Sequence, residues 1–441
     1  MTELARLYLD FDSFFASAEQ HFNPQLRGKP LGVVPLDVPT TGCIAISKEA
    51  KRAGVPSGAS VETARAACED MIFVVARPDA YVRLHRRILN VIESVLPVET
   101  VKSIDEVVCH LNYEQAADPH ALAKHIKNAL ADAFSGTLTC SIGIAASGLQ
   151  AKIAAELEKP DGLVVIRDDD MPGRIAHLAL RDIPGISSGI ETRLANAGIT
   201  TIPTLWAMER KHARALWGSI EGERFWCELH GENVDRPETT KRMFGHSRML
   251  PPDWRTPDKI HDCARQLMMG AARRLRRSEF AATKLTLSAR GGGYRDGRGS
   301  KPDDRRWSKE LVFRPVRDDR ALLAHLREAA QAFAQTATFK PRSIGVVLHG
   351  LEPADAPQAD LFGEATESGR SMESRQRDET LSSVLDQLRA AYGPNAASIG
   401  MPVEVPGGYL GAKIAFGRIP VDDDFSENPT EDHATHYCTS F

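Results

Sequence analysis

No stretch of this chain approaches the ~18 consecutive apolar residues of a membrane-spanning helix. The opening residues, Met1-Thr2-Glu3-Leu4, lack the basic-then-apolar pattern of a secretory signal. Cysteine is scarce and scattered, with seven residues at 43, 68, 109, 140, 227, 263 and 438 and no CxxC pair. An odd, dispersed set excludes a disulfide scaffold and a cysteine zinc site, and predicts reduced thiols in the cytoplasm. No internal repeat in the range of roughly 20–50 residues is present, which excludes a solenoid. What remains is ordinary globular composition, 42% hydrophobic and 26% charged over 441 residues. That length predicts about three domains.

Charge is unevenly placed. The net charge is -4, yet residues 236–350 hold 25 Lys/Arg against 12 Asp/Glu, or +13, and the last 91 residues hold 6 basic and 16 acidic groups, or -10. A basic segment in an acidic protein points to a polyanionic partner, or to a solvated basic face.

The pattern along the chain is mixed. Arg6 to Phe11 reads as a strand, and Asp12 stands where the N-cap of the next helix would be. Residues 58–70 and 80–95 have helical periodicity. Val101 to Leu111 reads as two short strands around a turn at Ile104-Asp105-Glu106, and Leu138 to Ala145 as another strand. Ser147-Gly148-Leu149-Gln150 has the form of a capping box. Residues 170–235 read as helical and 233–242 as a linker. The basic segment reads as βαββαβ, with a hairpin loop from Gly291 to Ser300. Residues 352–375 look disordered, before a helix near 379–392 and a strand near 412–419.

Three carboxylates stand out by context: Asp10 at a strand end, and the pair Asp105 and Glu106 at a strand turn. Magnesium takes a few protein oxygens of this kind and completes its shell with water and substrate phosphates. Two such ions serve phosphoryl transfer. Adjacent strand residues point to opposite faces, so Asp105 and Glu106 share a site only if a turn or bulge lies there.

Asp10-Phe11-Asp12-Ser13-Phe14-Phe15 comes first in a series of ordered motifs. Ser103-Ile104-Asp105-Glu106 follows, then Ser141-Ile142-Gly143-Ile144-Ala145, Ala151-Lys152-Ile153-Ala154 and Lys159-Pro160-Asp161-Gly162. The series resembles the Y-family of translesion DNA polymerases, over about residues 5–350. The resemblance implies a multidomain α/β and α+β right-hand polymerase. Its parts would be a palm with inserted fingers at 1–168, a helical thumb with a helix-hairpin-helix at 169–235, a βαββαβ little finger at 236–350, and an acidic tail at 351–441. It implies Mg²⁺-dependent, low-fidelity synthesis past damaged template bases, with two ions per site. Asp10 and Asp105 would bind both metals, Glu106 would support the ion near the primer 3′-OH, and the Phe11 carbonyl would add a ligand. Asp12 would cap a helix rather than bind metal. Phe15 would be the steric gate against ribose, Lys159 would hold the triphosphate, and Gly42 would leave room above the nascent pair.

The sequence departs from the family pattern at Lys48 and Lys51, where members often carry Tyr and Arg to grip the triphosphate. Lysine keeps the charge and loses the bidentate fork. Gly185 and Gly189, in Ile183-Pro184-Gly185-Ile186-Ser187-Ser188-Gly189, would present backbone N–H groups to DNA phosphate. Arg248, Lys284 and Arg290 are further phosphate contacts, with Arg273, Arg274, Arg276 and Arg277 as helpers or as cations matched to a helix end. Gln358-Ala359-Asp360-Leu361-Phe362 matches the bacterial sliding-clamp pentapeptide, with Gln358, Asp360, Leu361 and Phe362 as its contacts. The expected partners are damaged primer-template DNA, deoxynucleoside triphosphates and the clamp. The expected state is a monomer with room for an accessory subunit. Two other readings remain open at this point: a non-catalytic accessory protein that binds DNA and clamp, and a two-metal nuclease or cyclase.

Overall fold

Leu7, Leu9 and Phe11 face one side of β1 (Arg6–Phe11) and Tyr8 faces the other, the alternation of a strand covered on both faces. The computed structural model describes residues 4–35, 41–237, 240–291, 305–354, 372–392, 396–397, 399–400 and 419. After α1 (Phe14–Phe22) the chain makes an excursion through β2 (Leu31–Val34), β3 (Ala45–Ile46), α2 (Lys48–Arg52), α3 (Val61–Ala67) and β4 (Ile72–Val75). These strands pair in the order β3-β2-β4. The chain returns through α4 (Pro78–Glu93), β5 (Thr100–Val101), β6 (Glu106–His110), α5 (Tyr113–Ala117), α6 (Pro119–Phe134), β7 (Cys140–Ala145), α7 (Gly148–Leu157) and β8 (Leu163–Val165). The main sheet has the order β5-β6-β1-β7-β8, with β1 antiparallel to both neighbours.

One face of this sheet packs on α1, α4 and α6 through Phe14, Leu84, Ile88, Ile126 and Phe134. The other face takes α7, which lies close because β7 carries Gly143. A Cβ there would sit 2.0 Å from the Ala151 carbonyl oxygen, so any side chain would lift the helix. Ala151, Ala154 and Ala155 keep the helix side of that contact small.

Four helices follow: α8 (Ser188–Asn196), α9 (Ile202–Trp206), α10 (Arg210–Trp217) and α11 (Ile220–Leu229). They share one apolar core with α7, so the regions expected at 1–168 and 169–235 fall within a single compact unit. Ser147 caps α7 at the Gln150 N–H, as expected, but the reciprocal half of the capping box is replaced. Gln150 Nε2 donates instead to the Leu229 carbonyl at 3.0 Å and ties α7 to α11.

The second unit contains β9 (Met243–Met249), α12 (Pro257–Arg277), β10 (Phe280–Arg290), β11 (Arg306–Val316), α13 (Asp319–Thr336), β12 (Ser343–Pro353) and α14 (Met372–Tyr392). Its first six elements are the expected βαββαβ order, and the sheet runs β11-β10-β12-β9. α12 and α13 cover one face through Leu267, Leu275, Leu322 and Leu326. α14 begins at Met372, several residues before the expected helix and inside the segment expected to be disordered. It is held by ion pairs: Arg276 bonds Asp319 at 2.6 Å and Asp386 at 2.7 Å, and Arg320 bonds Asp378 at 2.9 Å. The glycine-rich loop after Gly291, the Gln358–Phe362 peptide and nearly all of the 412–419 strand lie outside the described residues.

Candidate active site

β1 and β6 are neighbours in register, which sets Asp10 opposite Glu106. Asp105 ends the turn before β6, and its carbonyl accepts the Phe11 N–H at 2.9 Å. The turn brings Asp105 within electrostatic reach of both Glu106 and Asp10. Ser103 Oγ donates to Asp105 Oδ1 and orients that carboxyl.

Residues 152, 156 and 159 are spaced four and three apart, so they follow one side of α7 and its end. That side lies over the carboxylates. Lys152 Nζ meets Glu106 Oε1 at 2.5 Å, and Lys159 Nζ meets both Asp10 Oδ1 and Glu156 Oε1 at 2.7 Å. Lys152 also stands 5.2 Å over the Tyr8 ring, and the Tyr8 hydroxyl bonds Glu106.

The electrostatics are those of crowded anions. Burial pushes the Asp10 carboxyl up to about 7, with Glu156 and Asp105 adding to the rise and Lys159 opposing it. Burial and then Glu106 raise Asp105 against the Ser103 hydrogen bond. For Lys159, burial works against the charge, but Asp10 and Glu156 outweigh it and raise its pKa. Among the described residues no group of three His, Cys, Asp or Glu side chains is arranged to hold a metal ion by itself. The donor set nevertheless fits a hard divalent cation that keeps water and substrate oxygens. It consists of the buried Asp10 carboxylate and the half-buried Asp105 and Glu106, with two ammonium groups beside them.

The expectation for Asp12 is overturned. Ser13, at φ 51°, occupies the N-cap of α1, and the cap makes no side-chain hydrogen bond. Asp12 instead accepts from Thr139 Oγ1 at 2.7 Å, Ser141 Oγ at 2.9 Å and the Asp161 N–H at 2.8 Å. Three donors satisfy a buried carboxylate more fully than a single N-cap hydrogen bond would. These donors are remote in sequence, so no local signal marks them.

Lys48 reaches the same place, donating to Thr139 Oγ1 at 2.6 Å, whereas Lys51 is exposed on the same short helix. Phe15 is 5% exposed, with its ring 5.0 Å from Tyr81. Tyr81 is fixed by Glu19, which also binds Arg77 at 2.7 Å in a buried ion pair. The sequence reading missed this support because a buried Glu looks like any helix-surface Glu. Gly42 bridges Ser60, and an added Cβ would meet only the Gly58 carbonyl at 3.5 Å, so local packing does not itself demand glycine.

The impB/mucB/samB family model matches residues 9–156, and the model of that family's C-terminal domain matches 241–361. A DNA polymerase IV of Moorella thermoacetica is 30% identical over 403 residues, which span 88% of this chain and 93% of that protein. This chain belongs to the Y-family of translesion DNA polymerases. A DNA polymerase IV of Halorhodospira halophila is 29% identical over 374 residues, 83% of this chain and 100% of that protein. A solved Y-family polymerase chimera shares the fold with a TM-score of 0.64 at 23% identity, covering 79% of this chain and 99% of that one.

The remaining expected contacts of the polymerase lie on other elements. Gly185 turns at φ 96°, a conformation glycine adopts freely, and Gly189 is the second residue of α8. In the second unit, Lys284, Thr286, Ser288 and Arg290 share the sheet face opposite the helices, as expected. Register places Gly345 between Ser288 and Ser247, and Arg248 beside Ile344. Ile344 is buried under the helices, so Arg248 lies on the helix side, near Cys263, and not on the face of Lys284. The open face gains Arg306 and Arg314 of β11, which sequence reading did not single out. Among the described residues no helix is long and apolar enough to cross a membrane.

Proposed function

We propose that this polymerase extends a primer opposite damaged template bases with Asp10, Asp105 and Glu106 as protein ligands of two Mg²⁺ ions. The observation that supports this most directly is the convergence of Asp10 and Glu106 from paired strands, beside Asp105, under two lysines of the α7 region. When bound, the ions activate the primer hydroxyl and stabilise the leaving pyrophosphate. Asp10 and Asp105 would hold both ions, and Glu106 with the Phe11 carbonyl would complete the protein share.

Lys159 then turns from Asp10 to the triphosphate, and Lys48 and Lys51 add positive charge beside it. Phe15, backed by Tyr81, excludes a ribose 2′-hydroxyl. Gly42 leaves space for an altered template base. Gly185, Gly189, Lys284 and Arg290, with Arg306 and Arg314, hold DNA backbone without reading sequence. The Gln358–Phe362 peptide anchors the chain to a sliding clamp, which raises the effective concentration at the primer end. The chain acts as a cytoplasmic monomer.

Primer extension with four deoxynucleotides and Mg²⁺ tests this reading. Extension by the wild type and none by Asp105→Ala is the expected result. DNA and clamp binding without extension by either protein, even with clamp or a second subunit added, would establish a non-catalytic accessory role instead.

A further inference from the structure

The Thr139 hydroxyl stands between Lys48 and Asp12, 2.6 Å from Nζ and 2.7 Å from Oδ2. It has one proton to give. Lysine only donates and an ionised carboxylate only accepts, so the proton goes to Asp12 and Thr139 accepts from Lys48. The same Asp12 oxygen accepts the Asp161 N–H at 2.8 Å, two residues after Lys159. Asp161, at φ 60°, is held from its other side by Lys127, which donates to its carbonyl at 2.6 Å and its carboxylate at 2.7 Å. Ser141 fixes the second Asp12 oxygen at 2.9 Å. One buried carboxylate therefore joins the finger helix α2, the strand β7 and the turn that carries Lys159.

We propose that Asp12 is a positioning residue for the incoming triphosphate, acting through Thr139 on Lys48 and through Asp161 on the Lys159 turn. The inference rests on the reading of Lys48 and Lys159 as triphosphate contacts. Its physical logic answers the departure at position 48. An ammonium on a four-carbon stem is a mobile point charge. A fixed acceptor restores the direction that lysine lacks. The relay touches cations that meet the bound nucleotide, so its loss shows in nucleotide affinity more than in the chemical step.

The decisive variant is Thr139→Val, which keeps the side-chain shape and removes the hydroxyl, because Asp12→Ala strips three donors at once and risks misfolding. Single-nucleotide insertion under single-turnover conditions gives the nucleotide Kd and the insertion rate separately. A dideoxy-terminated primer-template with Ca²⁺ gives nucleotide binding without catalysis. Lys48→Ala and Lys159→Ala are expected to weaken nucleotide binding about tenfold each, the scale of one charge-assisted hydrogen bond. Thr139→Val is expected to weaken it several-fold at an unchanged insertion rate. The Thr139→Val, Lys48→Ala double variant is expected to be no weaker than Lys48→Ala alone. Asp12→Asn should be non-additive with Lys159→Ala. Wild-type affinity in Thr139→Val beside a weakened Lys48→Ala, or independent multiplication of the two effects, would overturn the relay. Unchanged affinity in both lysine variants would instead overturn the triphosphate reading of the lysines, and the relay with it.

Discussion

Lys152 shows how much of this site is decided by single residues. Its ammonium holds Glu106 at 2.5 Å over the Tyr8 ring, and both side chains are partly exposed. A pair of that exposure contributes little to folding. Its consequence is the orientation of Glu106. Lys152→Met is therefore expected to lower the insertion rate about tenfold while the urea midpoint stays close to wild type. Single-turnover kinetics and equilibrium unfolding check the two halves. His85 gives a pH prediction. Burial lowers its pKa, against a ring hydrogen bond with the Ile104 backbone. The folded state then binds fewer protons than the unfolded chain, so stability rises with pH through the unfolded value of about 6.5 and is lost as pH falls below it. Unfolding at pH 8 and pH 5.5 should show that loss in the wild type and less of it in His85→Leu. At this scale Asp10, Asp105 and Glu106 could be named as candidates, because strand-end carboxylates are marked by their immediate neighbours. Asp12 was not legible, because its donors at 139, 141 and 161 are brought to it by strand pairing and a turn.

Helix α7 illustrates the scale of the element. Its apolar line and its Ser147 cap predict a helix, and a helix forms at Gly148–Leu157. What places Lys152 and Lys159 over the carboxylates is its close contact with Gly143. Helix α14 makes the converse point. Its existence near 379–392 was legible, yet the residues it buries are Asp378, Ser382 and Arg389, while Val384 and Tyr392 stay exposed. An amphipathic pattern assigns the apolar stripe to the core, and here the ion pairs of Arg276, Asp319 and Arg389 reverse that assignment. Asp319→Ala leaves two buried guanidinium groups short of a partner. It is expected to destabilise the second unit by about 3–5 kcal/mol. Thermal unfolding, with proteolysis after residue 354 as a local probe, measures the loss.

For the whole molecule, the basic charge of residues 236–350 predicts DNA affinity that falls steeply with salt. Register sharpens the prediction. Lys284→Ala with Arg290→Ala should reduce the slope of log K against log salt by about two, because both sides face away from the helices. Arg248→Ala, on the helix side, should leave that slope unchanged. Fluorescence anisotropy over a salt series distinguishes the two.

The sequence by itself determined the family and the βαββαβ order of the second unit, and it named the three carboxylates as candidates. Each of these is written in local pattern: strand alternation, helical periodicity, or a short motif at an element's end. The tertiary structure alone decided the counter-ions of those carboxylates, the work of Asp12, the face of Arg248 and the polar seat of α14. These depend on which remote donors, registers and charges come within hydrogen-bond reach, and burial then makes each such contact count.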